Sequence, residues 1–520
     1  MGMSIIDYTV LGAYAVGLVS IAWYVSRERP GHRKDTGDYF LAGKNLPWWA
    51  IGASLVAANI SAEQVIGMSG SGFAIGLGIA SYEWMAALTL LIVGKYFLPI
   101  FLEQRIYTMP QFLERRYGGA VRSLMAVFWL GVYTFVNLTS ILWLGALTIH
   151  TVTGLDQTFG LVCLAAFSMI YSLYGGLKAV ALTDIIQVVM LVLGGLLICY
   201  LTLDAVSGGE GALRGFSLLL KVAPEKFDMI LAPDNPNWEY LPGLSVLVGG
   251  LWIMNLSYWG FNQYIIQRAL AAKSIREAQA GVVFAAFLKL LVPILVVLPG
   301  IAAYVLRPDL ARADEAYPTM MGLAPTGARG LIFAALIAAI VSSLGSMVNS
   351  IATIFTLDLF KPLKPNTPEP RLVWVGRSVA LAAMAIAVLT ARPLLGQAEQ
   401  AFQYIQEFTG FFTPGIVVLF LFGMFWKRTT AEAAFAAAIG SAVFSLVLKV
   451  AFPEIPFMNR VGYVFLACAA TALTVSLVQG DARPGDAVDK SRIGFATSAR
   501  FNLASALIGL VLIGLYWYWW

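Results

Sequence analysis

The sequence predicts an all-α integral membrane protein that crosses the bilayer about fourteen times. Of its 520 residues, 59% are hydrophobic and only 12% are charged, whereas soluble domains are about a quarter charged. Apolar windows of roughly the 20 residues needed to cross a bilayer recur along the whole chain. These windows are continuous apolar runs without the alternation of barrel strands, so we predict transmembrane helices.

Fourteen windows have this character. The first window has no basic residue before it and no small-residue cleavage site after it, so we expect a retained helix and not a signal peptide. The predicted spans cover residues 5–25, 47–67, 79–102, 123–149, 158–174, 180–203, 243–267, 279–305, 329–357, 372–391, 399–426, 431–452, 458–478 and 500–519.

Lysine and arginine divide unevenly between the two sides of such a chain. One set of alternate loops holds 23 of the 34 Lys and Arg residues and the other set holds nine, with Lys95 and Lys289 inside spans. The positive-inside rule therefore predicts a multi-pass protein of the cell membrane with both termini outside the cytoplasm. The basic residues are spread over seven short loops, which argues against a nucleic-acid-binding surface. The sequence indicates no oligomeric state.

The sequence does not favour an enzyme. No loop is long enough for a catalytic domain, and the phosphate-binding pattern G-x-x-x-x-G-K-[ST] does not occur. Cys163, Cys199 and Cys468 lie inside apolar windows without the spacing of a metal site or a disulfide. His32 lies in a loop and His150 at a span end, which disfavours a proton relay. We therefore expect neither ATP-driven nor proton-driven transport.

Two predicted spans are interrupted by polar residues at matching positions. The second span breaks at Asn59-Ile60-Ser61, and five spans later the seventh breaks between Asn255 and Gln263. Transporters use such paired breaks in inverted repeats and bind substrate between them. We therefore predict an N-terminal helix and cytoplasmic loop (1–46), a first five-helix repeat (47–205), an extracellular loop (206–242), a second five-helix repeat (243–428) and three C-terminal helices (429–520).

Hydroxyl groups in the ninth span predict a cation site. Ala339, Ser342 and Ser343 share one helical face, and the break in the second span frees carbonyls near Ala57 and Ile60. Oxygen ligands of this kind suit a hard cation such as sodium. The alternative for any one of these hydroxyls is a helix–helix hydrogen bond. Asp184 is expected either to assist the cation site or to cap a helix.

Polar and aromatic residues of other spans predict a site for a neutral polyol. Asn255, Tyr258, Trp259 and Asn262 recur at helical spacing, as do Gln403, Gln406 and Glu407. Sugar hydroxyls need both donors and acceptors, and a sugar ring packs on aromatic faces. Further candidates inside spans are Gln64, Glu83, Asn137 and Lys289. The alternative for Lys289 is a structural ion pair with Glu83, and Glu63 is expected to face either the cavity or a neighbouring helix.

Five segments together resemble the sodium:solute symporter family over nearly the whole chain. They are DYFLAGKNLPWWAIGASLVAANISAEQVIGMSGSG, SYEWMAALTLLIVGKYFLPIF, NLSYWGFNQYIIQRALAAKS, AAIVSSLGSMVNS and FQYIQEFTG. The closest likeness is to the sodium/galactose and sodium/glucose-type members. The resemblance implies a LeuT-like fold of two inverted five-helix repeats with a broken helix in each.

The resemblance also implies roles for individual residues. Sodium would be bound by the carbonyls of Ala57 and Ile60 with Ala339, Ser342 and Ser343, and Asp184 would lie on its exit path. Tyr258, beside Trp259, would be the inner gate that stacks on the sugar. The outer gate would be Met68, Tyr82 and Phe402. Sugar contacts would come from Gln64, Glu83, Asn137, Asn255, Lys289 and Gln406.

Three residues depart from the family pattern. Ala86 replaces a serine near the sugar, and Ser257 replaces an aromatic residue next to Tyr258. Gly345 stands where members that bind two sodium ions carry a hydroxyl, which favours one sodium per sugar. We predict a secondary active symporter that imports a neutral hexose, galactose or glucose, with the sodium gradient by alternating access. The alternatives are a sodium-coupled symporter of an inositol, a sialic acid or an amino acid, and a sugar sensor without coupled transport.

Overall fold

The computed structural model describes residues 3–26, 45–106, 108–396, 400–480, 488, 491 and 493–520, with the side chains of 19, 22–23, 25–26 and 171–183 set aside. Most of the loop predicted at 26–46, including His32, lies outside the described residues. Within these residues the regular structure is helical apart from one isolated bridge between Leu46 and Ala272.

Twenty helices follow one another along the described chain. They are α1 Ile5–Ser26, α2 Trp48–Asn59, α3 Glu63–Ala74, α4 Leu77–Glu103, α5 Met109–Tyr117, α6 Gly119–Thr153, α7 Gln157–Val206, α8 Ala212–Val222, α9 Leu244–Val248, α10 Gly250–Leu256, α11 Gln263–Leu270, α12 Ile275–Leu306, α13 Ala316–Met320, α14 Ala328–Leu363, α15 Glu369–Leu395, α16 Ala401–Gly410, α17 Thr413–Phe425, α18 Ala431–Ala451, α19 Phe457–Gln479 and α20 Ala499–Tyr518.

The helices occupy all fourteen predicted windows. In the part of the chain that the structure describes, nine helices are long and apolar enough to cross a membrane, or up to eleven if the bent pairs α2–α3 and α16–α17 each count as one span. The other three windows contain α1, the first part of α7, and the short helices α9 to α11. The all-helical membrane architecture is therefore confirmed, whereas the number fourteen is not.

The fifth and sixth predicted spans lie on one helix, α7, so residue 178 belongs to a helix and not to the predicted loop. A straight helix of 50 residues would be about 75 Å long, more than twice the bilayer core of about 30 Å. Ser168 nevertheless bonds the carbonyl of Val341 at 3.5 Å, while Asp184, sixteen positions later, bonds the adjacent Ser342. These contacts bring Ser168 and Asp184 to a similar depth in the bundle, and two separate crossings within α7 stay a prediction.

Breaks occur where the sequence predicts them and at one further place. α2 and α3 meet at 60°, and Asn262 has extended backbone (φ −83°, ψ 121°) between α10 and α11. The predicted span 399–426 is not one straight helix, because α16 and α17 meet at 48°. Pro414 in the first turn of α17 cannot donate a backbone hydrogen bond to the preceding turn, which explains this break.

Within the described residues, five wide π-helical turns lie within the helices or directly next to them. Three of them contain polar residues of the central cavity described below, namely Glu63–Gly67, Tyr133–Leu138 and Ser257–Phe261. The other two are Val93–Phe97 and Phe355–Phe360. Such turns rotate the following residues around the helix axis and are frequent at functional sites.

The broken helices lie at the centre of the bundle. α14 is buried along most of its length, whereas α18, α19 and α20 form the periphery. Gly300 of α12 permits a close approach to α3, since a Cβ atom there would lie 2.1 Å from the carbonyl oxygen of Ser69. Small residues commonly make such contacts between membrane helices. This contact holds α3, the second half of the broken span, against α12.

Candidate substrate and cation site

The first part of the site is the break between α2 and α3. Ile60 leaves the helical region with ψ of 81°, and the N–H of Ser61 donates to the carbonyl of Asn59 at 2.8 Å. A helix that ends inside the bundle leaves its last carbonyls without intrahelical donors. These carbonyls are therefore available to side chains or to a ligand.

One such side chain is Ser343 of α14. Its hydroxyl lies 3.5 Å from the carbonyl oxygen of Ala57 and 3.3 Å from that of Ala58. Ala339 is buried one turn earlier on α14. Among the described residues no hydrogen bond links the Ile60 carbonyl to this group. The structure thus brings Ser343 and Ala57 together and adds Ala58, which the sequence analysis did not include.

The second predicted hydroxyl, Ser342, belongs to a neighbouring polar network. Ser342 donates to the carboxylate of Asp184, which also accepts from Ser54 at 2.5 Å. The guanidinium of Arg268 lies 3.8 Å from the same carboxylate and donates to Ser54 and Ser346. All five side chains are fully buried. Asp184 therefore directly contacts one of the predicted cation ligands, Ser342.

Lys289 of α12 contacts the break through Asn59, the last residue of α2. Its ammonium group donates to the carboxylate of Glu83 and to the side-chain oxygen of Asn59, and it lies 4.8 Å from the ring centre of Trp259. Both charges are buried, and a buried charge requires a partner. The predicted ion pair between Glu83 and Lys289 is present, and Asn59 joins it.

Asn59 also reaches the second broken helix. Its amide nitrogen donates to the hydroxyl of Tyr258 at 3.0 Å, and that hydroxyl contacts the hydroxyl of Tyr264 at 2.5 Å. At the break between α10 and α11, the hydroxyl of Tyr133 donates to the side-chain oxygen of Asn262 at 2.5 Å. The same hydroxyl accepts from the backbone N–H of Gln263 at 3.0 Å. A chain of phenol and amide groups therefore connects the two breaks.

The predicted sugar contacts surround one cavity. Seven of the eight line it, and Lys289 reaches it through its bonds to Glu83 and Asn59. The other polar groups in the lining give the cavity donors, acceptors and aromatic faces together. The predicted contacts in the lining are Gln64, Glu83, Asn137, Asn255, Tyr258, Trp259 and Gln406, and the further polar residues are Asn59, Glu63, Ser257, Asn262, Thr409 and Thr413.

Aromatic rings border the cavity at the predicted outer gate. Tyr82 and Phe402 are buried in an edge-to-face contact with ring centres 5.2 Å apart. Gly67 packs closely below Phe402, where a Cβ atom would lie 3.1 Å from that of Phe402. Met68, the third predicted gate residue, is fully buried in α3 but is not part of the cavity lining.

Two acids among the polar candidates, Glu63 and Glu407, have different environments. Glu63 lines the cavity and accepts a hydrogen bond from Ser140 of α6. Glu407 faces away from the cavity, because it bonds Arg460 of α19 at 2.5 Å and Lys449 of α18 at 3.0 Å. The polar residues that the sequence analysis grouped in α16 therefore face different ways, because Gln406 lines the cavity and Glu407 faces α18 and α19.

Charged loop residues cap α3 and α16, the two helices next to the predicted outer gate. Lys226 donates to the carbonyls of Phe73 and Ala74 at 3.0 and 2.7 Å, at the C-terminus of α3. Asp314 accepts from the N–H of Ala401 at 3.0 Å, at the N-terminus of α16. Both signs suit the helix dipole. Burial raises the pKa of Asp314 to about 7 and lowers the pKa of Lys226.

Sequence comparisons identify relatives along most of the chain. The family model described as "Sodium:solute symporter family" matches residues 39–440. A protein named sodium/glucose cotransporter from Vibrio parahaemolyticus is 51% identical over 541 aligned residues, covering 100% of this chain and 99% of that protein. Sodium/myo-inositol cotransporter 2 of Mus musculus is 34% identical, covering 85% of this chain and 69% of that protein.

Solved structures share the architecture. A substrate-bound, outward-open sodium-coupled sialic acid symporter matches with a TM-score of 0.80 and 23% identity, over 92% of this chain and 99% of that one. Mhp1, a transporter of the nucleobase-cation-symport-1 family in a closed conformation, matches with a TM-score of 0.52 and 14% identity, over 90% of this chain and 98% of that one. At these identities the likeness shows the fold alone, and it confirms the LeuT-like fold class.

Proposed function

The chain belongs to the sodium:solute symporter family, and from this premise we propose that it imports a neutral hexose, galactose or glucose, driven by the sodium gradient. The single observation that carries the substrate class is the cavity between the broken helices, where Gln64, Glu83, Asn255 and Gln406 lie beside the rings of Tyr258 and Trp259. Sugar hydroxyls can form hydrogen bonds with these polar groups, and the apolar face of a sugar ring can pack on the aromatic rings.

Sodium is the second transported substrate. The hydroxyl of Ser343 and the carbonyls of Ala57 and Ala58 supply the neutral oxygen ligands that a hard cation prefers. Asp184, bonded to Ser342, supplies negative charge on the path away from the site. Gly345, which has no hydroxyl, favours a single sodium ion for each sugar.

Coupling follows from the shared position of the two sites on the broken second span. The cation ligands lie at the end of α2, and the sugar ligand Gln64 lies at the start of α3. The hydroxyl and the N–H of Ser61, between them, point to the side-chain oxygen of Gln64 at 3.2 and 3.5 Å. A cation that orders the end of α2 would therefore also orient the sugar ligand. Coupling of this kind is reciprocal.

The transport cycle needs no covalent chemistry. Sodium and sugar enter past Tyr82 and Phe402, the repeats rock around the fixed site, and both leave on the side where sodium is scarce. One elementary charge moving through 100 mV supplies about 2.3 kcal/mol before any concentration gradient. The uneven loop charge supports an orientation in the cell membrane with both termini outside the cytoplasm and the helices in contact with the lipid bilayer.

Myo-inositol is the second candidate substrate. It is a neutral polyol, and a relative that is 34% identical carries its name. The same cavity groups could bind its hydroxyls. The galactose and glucose hypothesis is preferred because the sugar-named relative is 51% identical over the whole chain.

Uptake into proteoliposomes tests the proposal. Labelled galactose, glucose and myo-inositol are offered with an inward sodium gradient, and with potassium in its place. We expect concentrative uptake of a hexose with sodium only, and its loss in Gln64→Ala with the protein still folded. Uptake of myo-inositol without uptake of either hexose would show that the transported solute is myo-inositol. Equal uptake in sodium and in potassium would contradict the sodium coupling.

A further inference from the structure

The structure has a second, apolar groove on its outer surface, formed by one face of α12 and one face of α20. It has a cavity volume of about 1040 Å³. The α12 face carries Arg276, Ala280, Val283, Phe287 and Leu290, and the α20 face carries Arg500, Ala504, Leu507 and Val511. Both series recur at helical spacing. Each stripe therefore begins with an arginine and continues with apolar side chains.

The length of the groove matches one leaflet of a bilayer. From Arg276 to Leu290 the helix rises about 21 Å, and from Arg500 to Val511 it rises about 17 Å. Half of a hydrocarbon core of about 30 Å is about 15 Å. The apolar part of the groove can therefore hold an acyl chain whose head group lies beside the two arginines.

The charges at the head of the groove are positive and available. Arg276 and Arg500 are both exposed, and in the described part of the chain no ion pair joins either of them to a carboxylate. Glu277, the one acid in the lining, accepts from the backbone N–H of Trp48 at 2.5 Å, and the two arginines leave the lining with a net positive charge. Guanidinium groups bind phosphate in a bidentate manner, and basic pockets between membrane helices bind anionic head groups.

We propose that this groove is a binding site for one anionic glycerophospholipid, with its phosphate between Arg276 and Arg500 and an acyl chain between α12 and α20. The site is independent of the transported substrates. It lies along the helix that carries Lys289, and it borders Trp48 at the start of the broken second span.

Trp48 provides a local probe, since it lines the groove and packs edge-to-face on Phe284 with ring centres 5.6 Å apart. The protein is placed in vesicles of constant phosphatidylglycerol and phosphatidylcholine content, with a quenching bromine near the glycerol end of either one lipid or the other. The chain has 14 tryptophans, so the Trp48 signal is the difference between the unaltered protein and Trp48→Phe. We expect brominated phosphatidylglycerol to quench this signal at least twofold more strongly.

The charge requirement is tested with a double variant and a matched control. Arg276→Gln with Arg500→Gln should remove the preference for phosphatidylglycerol. Arg371→Gln with Arg377→Gln removes two exposed arginines of α15 outside the groove and should keep it. Equal quenching by the two lipids in the unaltered protein would overturn the proposal. A preference that persists in the first double variant, or disappears in the second, would overturn it as well.

Discussion

The amide of Asn59 donates a hydrogen bond of 3.0 Å to the hydroxyl of Tyr258, so the last residue of α2 is tied to the residue that the sequence predicts as inner gate. The same side chain accepts from Lys289. One amide therefore connects the broken second span, the broken seventh span and the buried ion pair. Its donor and its acceptor are both used, which fixes its orientation.

Tyr258→Phe removes this link but keeps the ring. A typical hydrogen bond contributes about 1 kcal/mol net, which corresponds to roughly a fivefold change in an equilibrium constant. We therefore expect the apparent KM for the sugar to rise about fivefold, with uptake retained because the stacking surface remains. Sodium-driven uptake at varied sugar concentration measures this. Tyr463→Phe, at an exposed tyrosine of α19, is the control, and an equal effect there would contradict the interpretation.

Lys289 is predicted to have more than a structural role. Lys289→Met alone leaves Glu83 as an unpaired buried charge, which typically costs about 3–5 kcal/mol of stability. Adding Glu83→Gln should restore most of the free energy of unfolding, measured by denaturation in detergent. Sugar uptake should stay absent in the double variant, since both polar contacts are gone. Recovery of uptake together with stability would show that the pair is only structural.

The sequence predicts the breaks because polar and glycine residues interrupt apolar runs where a bilayer penalises exposed backbone. The break at Asn59 and the one near Asn262 both have this signal. The bend between α16 and α17 has a weaker one, a single Thr-Pro step in an aromatic run, and it was missed. Two local apolar windows predict the fifth and sixth spans, whereas the contacts of α7 with Val341 and Ser342 are visible only in the folded chain.

The site is only partly predictable for a similar reason. Gln64, Asn255 and Tyr258 stand out as polar or aromatic residues at a break. Asn59 lies in the same break, and an amide there that offers both a donor and an acceptor is a signal that could have identified it. Tyr133 and Arg268 act through partners more than 70 positions away, so only the folded chain shows their role. Glu407 fits the helical spacing but faces the other way, since helical spacing alone does not say which side of α16 meets the cavity.

Ser343→Ala should weaken the response to sodium. The variant loses one oxygen next to the carbonyls of Ala57 and Ala58, and a bond to a charged group is typically worth about 1.5–3 kcal/mol. We expect the sodium concentration for half-maximal uptake to rise at least tenfold, with the sugar still transported at saturating sodium. Ser350→Ala is the matched control, since Ser350 is buried on the same helix and, among the described residues, its hydroxyl donates to the carbonyl of Ser346 alone. A shift in both variants would contradict the cation assignment.

Asp314 makes stability depend on pH through the outer-gate helix α16. Its pKa is raised to about 7 by burial, opposed by the N–H of Ala401 and by Arg312 and increased by Glu315. Because the folded chain binds this proton more tightly than the unfolded chain, this contribution to stability falls as pH rises from about 4 to about 7, by roughly 4 kcal/mol in total. Thermal unfolding at pH 5 and pH 8 should therefore show a smaller decrease for Asp314→Asn than for the unaltered protein. Asp309→Asn, at an exposed acid of the same loop, should leave the decrease unchanged, and an equal decrease in all three proteins would contradict the role of Asp314.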